Sequence, residues 1–493
     1  MYNNLSKARQ IATNAENNLD RHTIDIKFQE RLQYLISSFE LELTTDQQRA
    51  ITKLWQFIHS TNHSFLLAGY AGTGKSTIVF AVIKELVRLG KRIAITAPTN
   101  KAVEVIRNIA IKQGLSIDCF TIHQLMGLSI VDKRGKRSLE QTTPSKVYLY
   151  DLVFLDECSM VGKELWDSIT AQFLDRNLLL SNRKLVLMGD PAQLYPVGEG
   201  LSPTFKVEQK IIMKDVVRQT GNSPLLNFVT ATRAAIRAKS KIFRPQASPY
   251  SDSNTNGAFK VNKKTLIKYA LHQIKSNFDG DPNCFRILCY TNKQVNYYNQ
   301  IIRQEIYGKN SPRYIPGERL IAKKAIFNPE GKAMQRGLGG FPHKRLHQEA
   351  IVISTSTEFT VLDAVETKYF NYKAYRLKIS DAKSIKQIYV LHESEQKRFQ
   401  TELKEKLEAA KERPFFWYRY YQFRDKIFAE VDNCYALTVH NSQGSTFSEG
   451  AIDSKDLLKR LYVGDESERK KLKEYHRLWY VGSSRMQRKL LFT

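Results

Sequence analysis

The sequence runs to 493 residues, 42% of them hydrophobic, which is too long for one ordinary core and enough apolar material for about three or four domains. Lys and Arg number 76 against 49 Asp and Glu, a formal net charge of +27, and an excess of that size favours a polyanionic partner, nucleic acid first. No apolar run approaches the roughly 20 residues that cross a bilayer, and the opening MYNNLSKARQ lacks the apolar centre of a secretory signal, so the expectation is a soluble, intracellular, cytoplasmic protein with no membrane partner, associated with the nucleoid in a prokaryote.

Taken in chain order, residues 1–40 read as a polar helical extension, with helical spacing in QERLQYLISSFE. Over 41–210 the apolar runs SFLLA, RIAITAP, DLVFLDE and KLVLMGD alternate with amphipathic helices, the rhythm of a doubly wound parallel sheet whose ligands sit at the carboxyl ends of its strands. That rhythm breaks at about 115–147, where SIVDKRGKRSLEQ predicts a hairpin turning at Gly135. A second α/β block starts over 211–309 with FRILCYTN and its helix, and finishes over 431–493 with CYALTVHNSQG, EGAID and RKLLFT. Between them, 310–430 reads as β structure interrupted by a charged helix. On that helix Phe399, Leu403, Leu407 and Ala410 form a stripe, and Glu402 can pair with Lys406. Pro414 ends the helix, and the aromatic run FFWYRYY, Phe415 to Tyr421, predicts packing back on its own domain, with base stacking as the alternative. Cys119, Cys158, Cys284, Cys289 and Cys434 lack the paired short spacing of a zinc site and read as reduced core residues.

The chemistry starts at GYAGTGKST, Gly69 to Thr77, directly after an apolar run and before a helical one. Gly69, Gly72 and Gly74 permit backbone conformations that turn successive N–H groups towards phosphate oxygens. Lys75 would reach the β- and γ-phosphates, Ser76 would hold magnesium, Thr73 and Thr77 complete the loop, and the helix start adds its positive end. ATP and Mg2+ are therefore the expected ligands. LVFLDE supplies a second half: Asp156 at a strand end can hold the metal through water, while Glu157 can orient and deprotonate an attacking water. Transfer of phosphate to a small molecule does not need that second acid, so Glu157 points to hydrolysis. Gln193, in GDPAQLYPV, is placed to feel the γ-phosphate and pass on its loss.

LTTDQQRAI, GYAGTGKST, APTNKAV, FLDECSM, GDPAQLYPV, VHNSQGSTF and YVGSSR stand in this order over residues 43–493. In that order they resemble the superfamily one helicases, most of all the RecD-like and Dda-like branch. The resemblance implies an α/β fold of two RecA-like doubly wound parallel-sheet domains with ATP between them. It also implies a β-hairpin insertion in the first and a small SH3-like β domain with a helical insertion in the second. The implied activity is ATP-driven 5′-to-3′ helicase or translocase movement on single-stranded DNA, with tailed or forked duplexes as further substrates. Such a motor is expected to work as a monomer, with accessory replication or repair proteins as possible partners. Carried over by motif, Gln47 would read adenine, Gly444 would line the nucleotide site, and Arg218 in VVRQ and Arg485 in YVGSSR would reach the γ-phosphate from the second domain. The strand would be held by Pro98, Thr99 and Asn100, by His123, by Thr291 and Asn292, and by His440, Ser442 and Thr446. These groups contact phosphate without reading sequence. An RNA-stimulated relative and a nucleotide-gated clamp are the alternatives. Two departures stand out: Asn441 replaces the lysine usual after the histidine of VHNSQG, and the hairpin tip DKRGKR is charged where relatives often carry an apolar wedge.

Overall fold

The structure, a computed structural model, describes residues 28–39, 42–133, 136–173, 183–196, 198–216, 224–237, 241–247, 256–278, 280–327, 351–381 and 384–493. Residues 28–37 form helix α1; the rest of the extension before it lies outside the described residues. Then follow α2 (Thr45–His59), β1 (Ser64–Gly69), α3 (Lys75–Arg88), β2 (Ile93–Ala97), α4 (Asn100–Lys112), β3 (Asp118–Thr121) and α5 (Ile122–Met126). The hairpin β4 (Leu128–Lys133) and β5 (Lys136–Gln141) leads to β6 (Leu152–Leu155), α6 (Lys163–Phe173), β7 (Lys184–Gly189) and β8 (Lys210–Met213).

Six of these strands make one sheet in the order β3-β2-β6-β7-β1-β8, with every pairing parallel. The apolar runs of β1, β2, β6 and β7 have no polar alternation because helices cover both faces. Phe65, Leu67, Ile95, Phe154 and Val186 pack on one side with Leu54 and Trp55 of α2 and Ile78 and Val82 of α3. Leu66, Ala68, Val153, Leu155 and Leu187 pack on the other with Leu125 of α5 and Ile169 of α6. Two details differ from the sequence reading. DCFT, inside the stretch read as an insertion over 115–147, is the edge strand β3 of the main sheet, and the insertion proper is only the hairpin Leu128–Gln141. An edge strand of four residues, only two of them buried, carries too little pattern to be seen in the sequence. The sheet also continues past 210, through β8 beside β1. Gly135 at the hairpin tip lies outside the described residues.

The chain continues through α7 (Pro224–Arg237), β9 (Gly257–Lys260), α8 (Lys263–Asn277), β10 (Phe285–Cys289) and α9 (Asn292–Tyr307). It then leaves for an antiparallel unit. Here β11 (Arg319–Ala322), β14 (Glu358–Tyr369), β15 (Tyr372–Ser380), β16 (Ile385–Leu391) and β17 (Val431–Asn433) form a sheet in the order β16-β15-β14-β11-β17, with the short pair β12 (Ile326–Phe327) and β13 (Ile351–Ile353) alongside. Between β16 and β17 lie α10 (Gln396–Glu412) and α11 (Trp417–Lys426). Phe399 of α10 packs with Tyr372, Leu391 and Phe423, with Leu403 against them, and Lys406 pairs with Glu402 at 3.0 Å. Of FFWYRYY, Tyr420 is buried and Phe416, Trp417 and Tyr421 are half-buried, while Phe415 remains 77% exposed.

The last stretch returns with β18 (Ala436–Thr438), β19 (Phe447–Ile452), α12 (Ser454–Leu458), α13 (Glu468–Ser484) and β20 (Met486–Phe492). Strands from both sides of the excursion assemble the second parallel sheet, β18-β10-β19-β20-β9. The molecule is thus α/β, with two parallel sheets and an antiparallel unit inserted within the second. All five cysteines are free and buried, and among the described residues no helix is long and apolar enough to cross a membrane.

Candidate active site

Gly69 ends β1, and the loop from Tyr70 to Gly74 turns into the amino end of α3. Gly72 and Gly74 both take φ +82°, a left-handed geometry that glycine adopts without strain. A Cβ on Gly69 would lie 2.7 Å from Thr73 Oγ1, and one on Gly74 would lie 2.4 Å from Gln47 Nε2, so the loop is closed too tightly for any side chain at either point. Lys75 folds over it, its ammonium donating to Gly69 O at 2.6 Å and to Tyr70 O at 3.0 Å. Those bonds hold the cation above the loop, where an incoming phosphate would compete for it.

Asp156 and Glu157 follow β6. Asp156 Oδ1 accepts the Glu157 N–H at 2.8 Å. Burial, and next the neighbouring Glu157, push the Asp156 carboxyl up to about 7. A carboxylate disfavoured in this way gains from a cation, and Asp156 with Ser76 offers the hard oxygen donors that magnesium takes alongside water and phosphate. The residues therefore fit that ion. Glu157 sits at φ +51°, an uncommon conformation for a side chain with a Cβ and one found most often where function holds it.

A cleft of about 1610 Å³ opens over these groups, lined by Gly72, Gly74, Lys75, Ser76, Thr77, Asp156, Glu157 and Gln193, and also by Gly444, Ser445, Thr446, Ser484 and Arg485. The first set lies at the carboxyl edge of the first sheet, the second at the amino edge of the second, just before β19 and β20. Arg485 is buried at 7% exposure, its Nε donating to Val481 O at 3.3 Å, Nη1 to Ser445 O at 3.5 Å and Nη2 to Ser484 Oγ at 3.2 Å. A cation thus stands in the wall opposite Lys75. Arg218, the other arginine expected there, lies outside the described residues. Gln193 spans the seam: its Oε1 accepts from Ser159 Oγ at 3.2 Å and from Gln443 Nε2 at 3.5 Å.

Gln47 lines the cleft, but both ends of its amide are engaged. Oε1 accepts the Thr44 N–H at 3.0 Å in the capping box of α2, and Nε2 donates to Thr73 O at 3.3 Å. In this conformation it ties α2 to the phosphate loop.

Two residues that the sequence reading did not single out, Tyr480 and Arg477, help hold the two sheets together. The Tyr480 hydroxyl meets both Asp190, after β7, and Ala71 of the phosphate loop. Arg477 donates to the carbonyls of Pro191, at 2.9 Å, and Gln193, and lies 4.0 Å over the Tyr195 ring. Arg477 and Tyr480 occur at i, i+3 spacing on α13, so one face of that helix carries these bonds. The signal in the sequence was an arginine and a tyrosine on either side of the apolar pair Leu478–Trp479 in HRLWYVGSSR.

The expected strand contacts divide. Pro98, Thr99 and Asn100 follow β2, and His123 follows the neighbouring β3. Thr291 and Asn292 follow β10, and His440 follows the neighbouring β18. All are thus at carboxyl ends of adjacent strands, and Asn292 is exposed. Thr99 Oγ1 caps α4, accepting the Ala102 N–H, and burial lowers the His123 pKa. Thr291 is committed internally: its hydroxyl donates to Asp456 Oδ1 at 2.8 Å while accepting the Gln294 N–H. One expectation needs correcting. Ser442 is fully buried and donates to Val439 O at 2.8 Å, so its side chain does not face a strand. Thr446 is exposed and lines the cleft, in the turn that leads into β19.

A family profile described as an AAA domain matches residues 42–239. An uncharacterised protein of Acanthamoeba polyphaga mimivirus is 25% identical over 478 residues, 84% of this chain and 94% of that protein. The ATP-dependent DNA helicase Dda of Enterobacteria phage T4 is 24% identical over 297 residues, 58% of this chain and 62% of that protein. The ATP-dependent RecD2 DNA helicase of Deinococcus radiodurans is 32% identical over 169 residues, 33% of this chain and 20% of that protein. The chain therefore spans less than two thirds of these two named helicases. The first part of the chain thus carries an AAA domain, and the chain is similar to ATP-dependent DNA helicases named Dda, RecD2 and PIF1.

Proposed function

We propose that this chain is an ATP-dependent DNA helicase or translocase that moves 5′ to 3′ on single-stranded DNA. The observation that carries this reading is the seam itself: Lys75, Asp156 and Glu157 on one wall of the cleft, Arg485 on the other. In the proposed roles, the phosphate loop and Lys75 bind the triphosphate, Ser76 and Asp156 hold magnesium, and Glu157 takes the proton of the attacking water. Magnesium, when bound, would neutralise phosphate charge and orient the oxygens. Arg485, with Arg218, would stabilise charge on the transferring phosphoryl group. Such a finger contributes about a thousandfold to a hundred-thousandfold in rate, or roughly 4–7 kcal/mol. Since it stands across the seam, hydrolysis requires closure, and Gln193, Arg477 and Tyr480 carry the change between the sheets. Alternating closure at the cleft then shifts the loops after β2 and β3 relative to those after β10 and β18, which would advance a strand lying across them. The charge of +27 supports a polyanionic track.

ATP turnover with and without single-stranded DNA, followed by unwinding of a 5′-tailed against a 3′-tailed duplex, tests the proposal. Stimulation by DNA and a preference for the 5′ tail are expected. Equal turnover with and without a strand would remove the motor, and stronger stimulation by RNA would reassign its substrate.

A further inference from the structure

Glu358 is the one acid in a buried cluster drawn from three parts of the fold. It opens β14 of the antiparallel unit, and its Oε2 accepts from Arg286 Nη2 of β10 at 2.8 Å and from Arg319 Nε of β11 at 3.0 Å. Its Oε1 faces Lys101 of α4 in the first parallel unit, at 3.7 Å. Lys101 follows Asn100, directly behind the expected strand contacts. Its ammonium is sealed from solvent with no hydrogen-bond partner among the described residues, and Glu358 Oε1 is likewise unsatisfied. Both Lys101, at 5.8 Å, and Arg286, at 5.5 Å, also lie near the Phe447 ring, one residue beyond the cleft-lining Thr446.

Three cations around one carboxylate leave an excess of positive charge where water is excluded. A buried ammonium without a hydrogen bond is disfavoured for stability. Arg286 and Arg319 satisfy one carboxylate oxygen on their own; Lys101 adds little to that pair except a link from the first unit to the other two. We infer that Lys101 and Glu358 form a strut from the first parallel-sheet unit to the antiparallel unit, and through Arg286 of β10 to the second parallel sheet, that sets the spacing of the strand track, with Lys101 a positioning residue. This rests on the motor reading proposed above. Burial lowers the Lys101 pKa, while Arg286, Lys101 and Arg319 overcome the burial of Glu358 and hold its carboxyl down at about 2, so the acid stays ionised as an anchor. The 3.7 Å gap lets the strut lengthen or shorten as the cleft works, which a short bidentate pair would resist.

The test uses the full chain as wild type, Lys101→Met, Glu358→Gln and the double variant. ATP turnover is titrated with oligothymidylate, and thermal unfolding is followed in parallel. Lys101→Met should fold with an unchanged or higher Tm, keep its turnover without DNA within about twofold, and need roughly fivefold or more oligothymidylate for half-maximal stimulation, a coupling typical of contacting residues. In the Glu358→Gln background the same change should do nothing further. A purely structural lysine would instead lower Tm and leave the strand response alone, which would overturn the proposal, as would an equal shift in both backgrounds. If Glu358→Gln does not fold, Glu358→Asp withdraws the carboxylate from Lys101 while keeping a charge for the arginines, and the same comparison decides. Failure of oligothymidylate to stimulate the wild type would defeat the motor reading instead. The unfolding cycle then decides the strut: Lys101→Met raising Tm more in the Glu358→Gln background, where the ammonium has lost its carboxylate, than in the wild type upholds the pair, and equal shifts in the two backgrounds end it.

Discussion

The Tyr480 hydroxyl donates to Asp190 Oδ2 at 2.6 Å and accepts the Ala71 N–H at 2.9 Å. One phenol on α13 is therefore shared between the phosphate loop and the turn after β7. Both partners are on the first sheet's edge, and the tyrosine is on the second unit's helix, so this bond reports the position of one unit against the other. On the proposed reading, a change in the phosphate loop that carries Ala71 would reach the second unit through this bond.

Tyr480→Phe removes the bridge while keeping the ring, which is 1% exposed. The Ala71 N–H and the Asp190 carboxylate lose a partner, and a buried group left unpaired costs about 1–3 kcal/mol. The expected result is a lower Tm and turnover reduced by about tenfold, with nucleotide affinity within a few-fold of wild type. Calorimetric binding beside steady-state turnover separates these effects.

Gly74→Ala puts a Cβ 2.4 Å from Gln47 Nε2 at a residue with φ +82°. The left-handed conformation alone costs roughly 1–2 kcal/mol with a Cβ. Gln47 cannot swing away without giving up its bonds to Thr44 and Thr73. Nucleotide affinity should fall by about tenfold or more, and fluorescence titration with a labelled nucleotide would measure it. Unchanged affinity would mean that this loop does not cradle phosphate.

Arg485→Ala should leave nucleotide binding within a few-fold and reduce hydrolysis by about a thousandfold or more, as expected for a group that acts on the transition state. Single-turnover hydrolysis at saturating ATP is the measurement. Near-normal turnover would move the finger's role to another residue.

Much of this site was legible because its chemistry is local in sequence. The phosphate loop, Asp156–Glu157 and the strands before them each lie within a few residues, and their apolar runs are long enough to declare buried parallel strands. The strand β3 was not legible, because four residues on a sheet edge carry little pattern. The interface through Arg477 and Tyr480 was hidden for another reason. A tyrosine in an apolar helix reads as core, and only the long-range pairing with Asp190, 290 residues away, gives it a different role. Ser442 shows the reverse: a hydroxyl in a motif looks available, yet the tight turn after β18 folds it onto Val439.

Asp156→Asn separates stability from chemistry. A carboxyl whose pKa rises on folding favours the folded state only while protonated. As pH climbs from the ordinary carboxylate range near 4 through about 7, ionisation of Asp156 therefore draws stability away, and the deficit is complete above that window. Asparagine is neutral, nearly isosteric, and keeps an oxygen for the Glu157 N–H. Without metal, the variant should be more stable than wild type at pH 8, by roughly 1–4 kcal/mol, and the difference should close towards pH 5. Its turnover should be lost, and magnesium with nucleotide should stabilise the wild type more than the variant. Denaturant midpoints at pH 5, 6, 7 and 8, with and without magnesium and nucleotide, provide the check. Equal midpoints for the two proteins at pH 8 would show that the Asp156 carboxylate is not held against its preference, and the argument that it awaits a cation would fall with them.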